Sequence, residues 1–205
     1  MAIATHEPTV TTSPSGDLDE LLWRAWKALT LPKGLRAEII EGAIEVSPTG
    51  SRRHAMIANR LRRALDRHLE TDVLSAFQDG NVLDGRKVYI PDLFVAPDDL
   101  DEAPDADGLG VDVSGVVLVA EVVSPGSEAS DRDRRRKRRA YARAGIEIYV
   151  IIDDFDGSGT VTVLADPDFR KGDYGSTLHV EQGTPVAIPS GALKGFTIGP
   201  EITAR

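Results

Sequence analysis

The sequence predicts an α/β or α+β fold, a β-sheet with helices packed against it, and three observations point there. Helical and strand-like segments follow one another along 205 residues with no internal repeat and no linker between two cores. Two apolar runs, VVLVAEVV at 116–123 and IEIYVIID at 146–153, are continuous enough to be strands covered on both faces, and a helical segment lies between them. With 41% apolar and 28% charged residues the chain has the composition of a globular domain with a full core.

Residues 1–16, ending TVTTSPSG, carry no apolar period and read as a leader without a fold, followed by a single domain over 17–205. From Asp17 onward Leu18, Leu21, Leu22, Ala25, Trp26 and Leu29 recur at helical spacing until Pro32 and Gly34 end the helix. AEIIEGAIEVSP alternates about Glu41-Gly42 as a hairpin, with Ile40 and Ile44 inward. Over 51–70 a long helix buries Ile57, Leu61, Ala64, Leu65 and His68 while Arg52, Arg53, Arg60, Arg63 and Arg67 lie largely elsewhere. DVLSAF, NVLDGRKVYI and DLFVA are strand-like, then an acidic loop leads into VVLVAEVV, which Ser124-Pro125-Gly126 ends. A second helix is expected over about 130–144, stopped by Gly145, with IEIYVIID, VTVLAD, STLHV and TPVAI as further strands.

Charge is distributed unevenly. Positions 98–112 hold seven acids and no base, and removing those seven from the formal −9 leaves −2. Positions 132–139 read RDRRRKRR, a strongly positive patch within an acidic protein. The acidic loop has part of an EF-hand pattern but fails it. With Gly108 as the sixth position, Ala103 falls on the first ligand place and Ser114 on the one that needs a bidentate Glu, so a solvated, mobile loop is expected. The chain has no Cys, which removes disulfides, thiol nucleophiles and thiolate metal sites. No stretch reaches the roughly 18 to 20 apolar residues of a membrane span, and MAIATHEPTV lacks the features of a signal peptide, so no membrane contact and a cytoplasmic location are expected. No Walker loop, dinucleotide fingerprint or nucleophile elbow occurs.

Three residues carry candidate chemistry. Glu121 is the one charge inside VVLVAEVV; an unpaired carboxylate there costs several kcal/mol (roughly, by), so it requires a cation, donors or a proton. Asp92 follows Pro91 beside a strand, where its carboxylate can face a cleft, although a Pro-Asp pair alone marks a turn as readily as a site. Lys137 differs from its basic neighbours because helical spacing puts it, with Asp133, on the inward stripe of Ala140, Tyr141 and Ala144, while Arg132, Arg135, Arg139 and Arg143 fall on another face. Its ammonium would point toward the end of the strand that holds Glu121.

PDLFVAP followed by VAEVVSPGSEASDRDRRRKRRAYARAGIEIYVIID resembles the Uma2 or DUF820 group of endonucleases, a branch of the PD-(D/E)XK nuclease superfamily. AEIIEGAIEVSP, a helix with an early His, and TPVAIPSGALKGFTI also fit, so the resemblance covers about 20 to 198. It implies a restriction endonuclease-like core, a central mixed β-sheet between helices, that hydrolyses DNA with a divalent metal at its carboxylate end. Mg²⁺, with Mn²⁺ as a possible substitute, would then be held by Asp92, Glu121 and the carbonyl of Val122, and Lys137 would orient or deprotonate the attacking water. One position departs from the superfamily's simplest pattern of acid, any residue, Lys on one strand. Val123 stands in the third place, and the resemblance moves the lysine to the following helix at Lys137. Arg134 or Arg138 would contact phosphates. His54, Glu38 and Glu41 are additional candidates, for each of which packing or a solvent-facing position is an equal or better reading. Symmetric double-strand cutting would require a homodimer, and the Trp helix offers either that contact or a cap on its own core. The alternative function is a catalytically inactive module binding nucleic acid or protein on the same fold.

Overall fold

The structure, a computed structural model, describes residues 14–69 and 73–204. Its centre is a six-stranded mixed sheet formed by β3 (Leu74–Phe77), β6 (Leu93–Pro97), β8 (Leu118–Val122), β9 (Ile148–Asp153), β10 (Thr160–Asp168) and β11 (Asp173–Glu181), lying in the order β11-β10-β9-β8-β6-β3. The two apolar runs of the sequence are its adjacent middle strands β8 and β9, the parallel pair in this sheet. A parallel pair requires a crossover, and here it is helical: α3 (Ser127–Asp131), one π-helical turn (Arg132–Arg136) and α4 (Lys137–Arg143) run on without a break.

Both faces of this sheet are covered, which is why β8 and β9 read as unbroken apolar runs. On one face α2 (Arg52–His68) packs Ile57, Leu61 and Leu65 against Leu93, Leu118, Ala120 and Val150. The short β12 (Val186–Ala187), β13 (Thr197–Ile198) and α5 (Pro200–Thr203) complete that layer with Val186, Phe196, Ile198 and Ile202. The other face lies under α4 and a second sheet made of β1 (Leu35–Ile40), β2 (Ala43–Pro48), β4 (Val82–Asp84), β5 (Lys87–Tyr89) and β7 (Val111–Asp112), in the order β2-β1-β5-β4-β7. Outside that sheet sits α1 (Pro14–Ala28), whose Trp23 is fully buried with Ile39, Leu83 and Val88 and stacks on Trp26.

The expected central mixed sheet is present, but its second face is shared between helix and sheet. The hairpin β1–β2 turns at Glu41-Gly42 with positive φ at both residues, as a two-residue turn requires, and pairs Ile39 with Ile44 and Ile40 with Ala43. Ile39 and Ile40 are therefore both buried, on opposite faces of β1. NVLDGRKVYI resolves into the hairpin β4–β5 rather than one strand. The expected fold-free leader ends earlier than read, because α1 starts at Pro14, a residue well suited to a first helical turn; the remainder of that leader lies outside the described residues. The Trp helix covers its own core. The acidic loop is more organised than a plain solvated loop, since the Asp105 carboxylate accepts N–H groups of Asp107, Leu109 and Gly110. Among the described residues no helix is long and apolar enough to cross a membrane.

Candidate active site

Strand register brings the two sequence-predicted acids together. β6 and β8 pair antiparallel with Leu93 opposite Ala120, so continuing by one residue sets Asp92 opposite Glu121, and directly opposed residues share a face. That face carries Phe94, Val119 and Val123 and looks toward α4 and the second sheet. Asp92 is 4% exposed and Glu121 1%.

Lys137, the first residue of α4, is 0% exposed and reaches the same point. Its Nζ lies 2.7 Å from Glu121 Oε1 and 3.0 Å from Glu38 Oε1. One turn further on, the Tyr141 hydroxyl donates to Glu121 Oε1 at 2.6 Å. Asp133, one turn earlier, is buried on the same side and accepts Arg132 Nε at 2.8 Å, while its main-chain carbonyl accepts the Tyr149 hydroxyl. The inward stripe thus carries Asp133 and Lys137 as their spacing requires. The expected outward position of Arg132 is corrected. A wheel with an unbroken 3.6 period ignores the π turn, which adds a residue to one turn and rotates what precedes it, leaving Arg132 only 12% exposed against Asp133.

Asp92 has different partners. Its Oδ1 accepts Arg36 Nη2 at 2.8 Å and lies 3.0 Å from His54 Nε2, and its Oδ2 accepts the Val122 N–H at 2.8 Å. His54 comes from the first turn of α2, whose Ser51 cap accepts the His54 N–H. Gly50 makes room for it, because a Cβ at that position would collide with the imidazole. Arg36, Glu38 and Ile40 alternate on one face of β1, which places the first two in this centre; Glu38 Oε1 also accepts the Ile90 N–H at 2.7 Å.

The two opposed carboxylates titrate apart. For Asp92, burial pushes upward, but the His54 hydrogen bond and charge, together with Arg36 and Lys137, outweigh it and hold the group well below the usual carboxylate range. For Glu121, burial dominates over the attraction of Lys137, and the negative Asp92, Asp133 and Glu38 add to it, so its pKa rises from 4.5 to about 8. Burial pulls Lys137 down, yet Glu121, Glu38 and Asp133 raise it further, and it stays an ammonium. Four buried carboxyl groups (Glu38, Asp92, Glu121, Asp133) thus face Arg36, Arg132 and Lys137, with His54 beside Asp92.

Among the described residues no group of three or more His, Asp or Glu is arranged to hold a metal ion. A pair of carboxylates is nevertheless the protein share typical of a Mg²⁺ site, which keeps several waters. Asp92 Oδ2 accepts one hydrogen bond and Glu121 Oε1 two, which leaves lone pairs on Asp92 Oδ2 and on the second Glu121 oxygen. These hard oxygens suit a small divalent cation. A cavity of about 350 Å³ lined by Asp92, His54, Arg36, Asn59 and Asp79 opens onto the Asp92 side. A larger one of about 710 Å³, between Ser47, Ser124 and Arg136, touches the centre only through Arg132, so the smaller cavity is the one through which a ligand could enter toward Asp92.

Asp92, Glu121 and Lys137 thus converge as expected; Val122 joins them through its N–H, and His54 and Glu38 belong to the centre. Glu41 does not: it sits at the hairpin turn and clamps Arg139 by two bonds of 2.8 and 2.6 Å. Arg36 and the hydroxyl of Tyr141 complete the site and went unread in the sequence. The strongly positive patch is corrected as well, since every base of 132–139 has a carboxylate partner. Arg134 bonds Asp153, Arg138 bonds Asp173, Arg135 faces Asp131 and Arg136 faces Glu45.

A crystal structure of a "putative nuclease belonging to DUF820" from Anabaena variabilis ATCC 29413 matches with a TM-score of 0.59 at 19% identity, covering 84% of this chain and 88% of that one. At that identity the likeness shows a shared fold. No curated protein matches. The family model Uma2, described as "putative restriction endonuclease", matches residues 23–201, nearly the whole chain. The chain belongs to the Uma2 family.

Proposed function

We propose that this chain is a metal-dependent endonuclease that hydrolyses DNA phosphodiester bonds. The observation that carries the reading is the buried ammonium of Lys137 set 2.7 Å from Glu121, with Asp92, the residue before the strand paired to that of Glu121, bonded to the next main-chain N–H at Val122. Asp92, Glu121 and the carbonyl of Val122 would hold Mg²⁺, or Mn²⁺ in its place, and the bound cation would supply Lewis-acid polarisation of the phosphoryl oxygen and a more acidic water. Within one strand residue the N–H and C=O point to the same side, and the Val122 N–H already points to Asp92.

The remaining steps belong to side chains. Arg36 and His54 fix the Asp92 carboxylate in one orientation toward the entrance. Lys137, held as an ammonium beside Glu121 and Glu38, would orient water and offset negative charge in the transition state. Glu121, pushed up to about 8 by its burial, would have to give up its proton to serve as a ligand to a bound cation. On this reading the enzyme would work in the cytoplasm, and cutting both strands would call for two centres, hence a homodimer.

One observation favours a second reading, a non-catalytic nucleic-acid- or protein-binding module: Asp92 Oδ1 already carries both Arg36 and His54. Plasmid nicking separates the two. Wild type is expected to nick supercoiled DNA with Mg²⁺ or Mn²⁺ and not with EDTA, and Asp92→Asn or Glu121→Gln to lower the rate by about 10²–10³-fold while keeping the circular dichroism of the fold. Equal nicking by the variants would overturn the assignment, and no nicking by wild type would leave the module.

A further inference from the structure

The two arginine-rich helices of this chain differ in what their cations do. In the crossover helix every base of 132–139 is matched by a carboxylate, drawn from Glu41, Asp153 and Asp173 as well as from the helix itself. In α2, Arg53 bonds Asp154 and the main-chain carbonyls of Thr203 and Ala204, Arg60 bonds the Ala204 carbonyl, and Arg62 bonds Asp66. Arg52, Arg63 and Arg67 are exposed and have no carboxylate or carbonyl partner among the described residues. These three lie on one side of the helix, since at 100° per residue positions 52, 63 and 67 fall within about 60° of one another, opposite the buried Ile57, Leu61 and Leu65.

The stripe adjoins the entrance of the centre. Ala55 and Asn59, on the flank of the same helix, line the 350 Å³ cavity together with Asp92 and His54. From Arg52 to Arg67 the helix runs about 22 Å at 1.5 Å per residue, a length matching about six phosphates of one strand at 3.4 Å each. Among the described residues the carboxylates near it, Asp66 and Asp154, are bonded to Arg62 and Arg53, and Asp79 faces Arg36.

We propose that the outward stripe Arg52, Arg63 and Arg67 of α2 is the surface on which the phosphate backbone of duplex DNA docks, leading the scissile bond to the Asp92 entrance. This rests on the nuclease reading for the identity of the ligand. It replaces the crossover helix, whose charges are already neutralised, as the electrostatic footprint. Cations held in ion pairs release fewer counterions from DNA than solvated ones, so the salt dependence of binding reports which helix is used.

The test is fluorescence anisotropy of an end-labelled 20-base-pair duplex with the full chain in EDTA, across a salt series. Arg63→Glu/Arg67→Glu is compared with the control Arg135→Glu/Lys171→Glu, both pairs being exposed, and with the milder Arg63→Gln/Arg67→Gln; thermal melting checks the fold. The α2 variants should weaken binding at least tenfold and flatten the log–log salt slope by about 0.9 for each phosphate no longer neutralised, while the control changes affinity less than twofold. Loss in the control with α2 unaffected, or no duplex binding by wild type, overturns the proposal. Parallel nicking with Mg²⁺ separates the claims: nicking that is indifferent to α2 sinks the docking surface alone, whereas α2-dependent binding without nicking by wild type sinks the nuclease reading alone.

Discussion

Asp92, the residue before β6, and Glu121 on the paired strand β8 belong to one buried centre, yet one half of it borders a cavity and the other is sealed. Asp92 borders a cavity and is bound by a guanidinium, an imidazole and a main-chain N–H. Glu121 is enclosed under α4 by Lys137 and Tyr141. The same side-chain type is thus held ionised on one side and pushed up to about 8 on the other, and the difference comes from the number of donors against the depth of burial. Pairs of carboxyl groups whose surroundings push them apart in this way can take different roles in proton chemistry.

Breaking the sealed half should have the largest effect. Lys137→Met removes the ammonium that Glu121 and Glu38 share, and an uncompensated buried carboxylate costs about 3–5 kcal/mol. Urea unfolding should show that loss, and Lys137→Met/Glu121→Gln should recover part of it; a single variant as stable as wild type would mean that the three groups do not interact.

Titration then separates the halves by sign. Because Asp92 is depressed in the fold, its contribution is present above the unfolded carboxylate pKa and is lost as pH falls through the folded value. Because Glu121 keeps a proton that the unfolded chain releases above 4.5, its contribution is full below 4.5 and declines as pH rises to about 8. In EDTA, Asp92→Asn should flatten the acid limb of stability against pH and Glu121→Gln the limb between those two values. Identical profiles in both variants would contradict the split.

The smallest change concerns one hydroxyl. Tyr141→Phe removes a donor to Glu121 Oε1 and should cost about 1 kcal/mol in unfolding, whereas Tyr174→Phe, whose hydroxyl donates to the Ile146 carbonyl away from the centre, should lose similar stability without moving the Glu121 limb.

The sealed half was the more legible in the sequence. Glu121 stood alone in an apolar strand, and the helical stripe put Lys137 beneath it; both features follow from local periodicity. Glu38 and Arg36 were harder to read, because their burial depends on β1 being covered on both faces. The adjacent Ile39 and Ile40 were the signal for that, since an exposed hairpin would alternate. Arg132 was misplaced by a π turn that spacing does not reveal. The pairing of the basic run is hidden for a different reason: its counter-charges Asp153, Asp173 and Glu41 come from elements remote in sequence and adjacent only after folding. The two-layer arrangement over the sheet's second face was likewise a tertiary outcome, built from short strands that looked alike in the sequence.

The account depends on Asp92 and Glu121 acting together on one cation. Calorimetric titration of Mn²⁺ into the full chain at pH 7 and pH 9 tests this directly. A single site is expected, tighter at the higher pH as Glu121 gives up its proton, and absent in both Asp92→Asn and Glu121→Gln. Mn²⁺ binding that persists unchanged in either variant, or that never occurs in wild type, would contradict it.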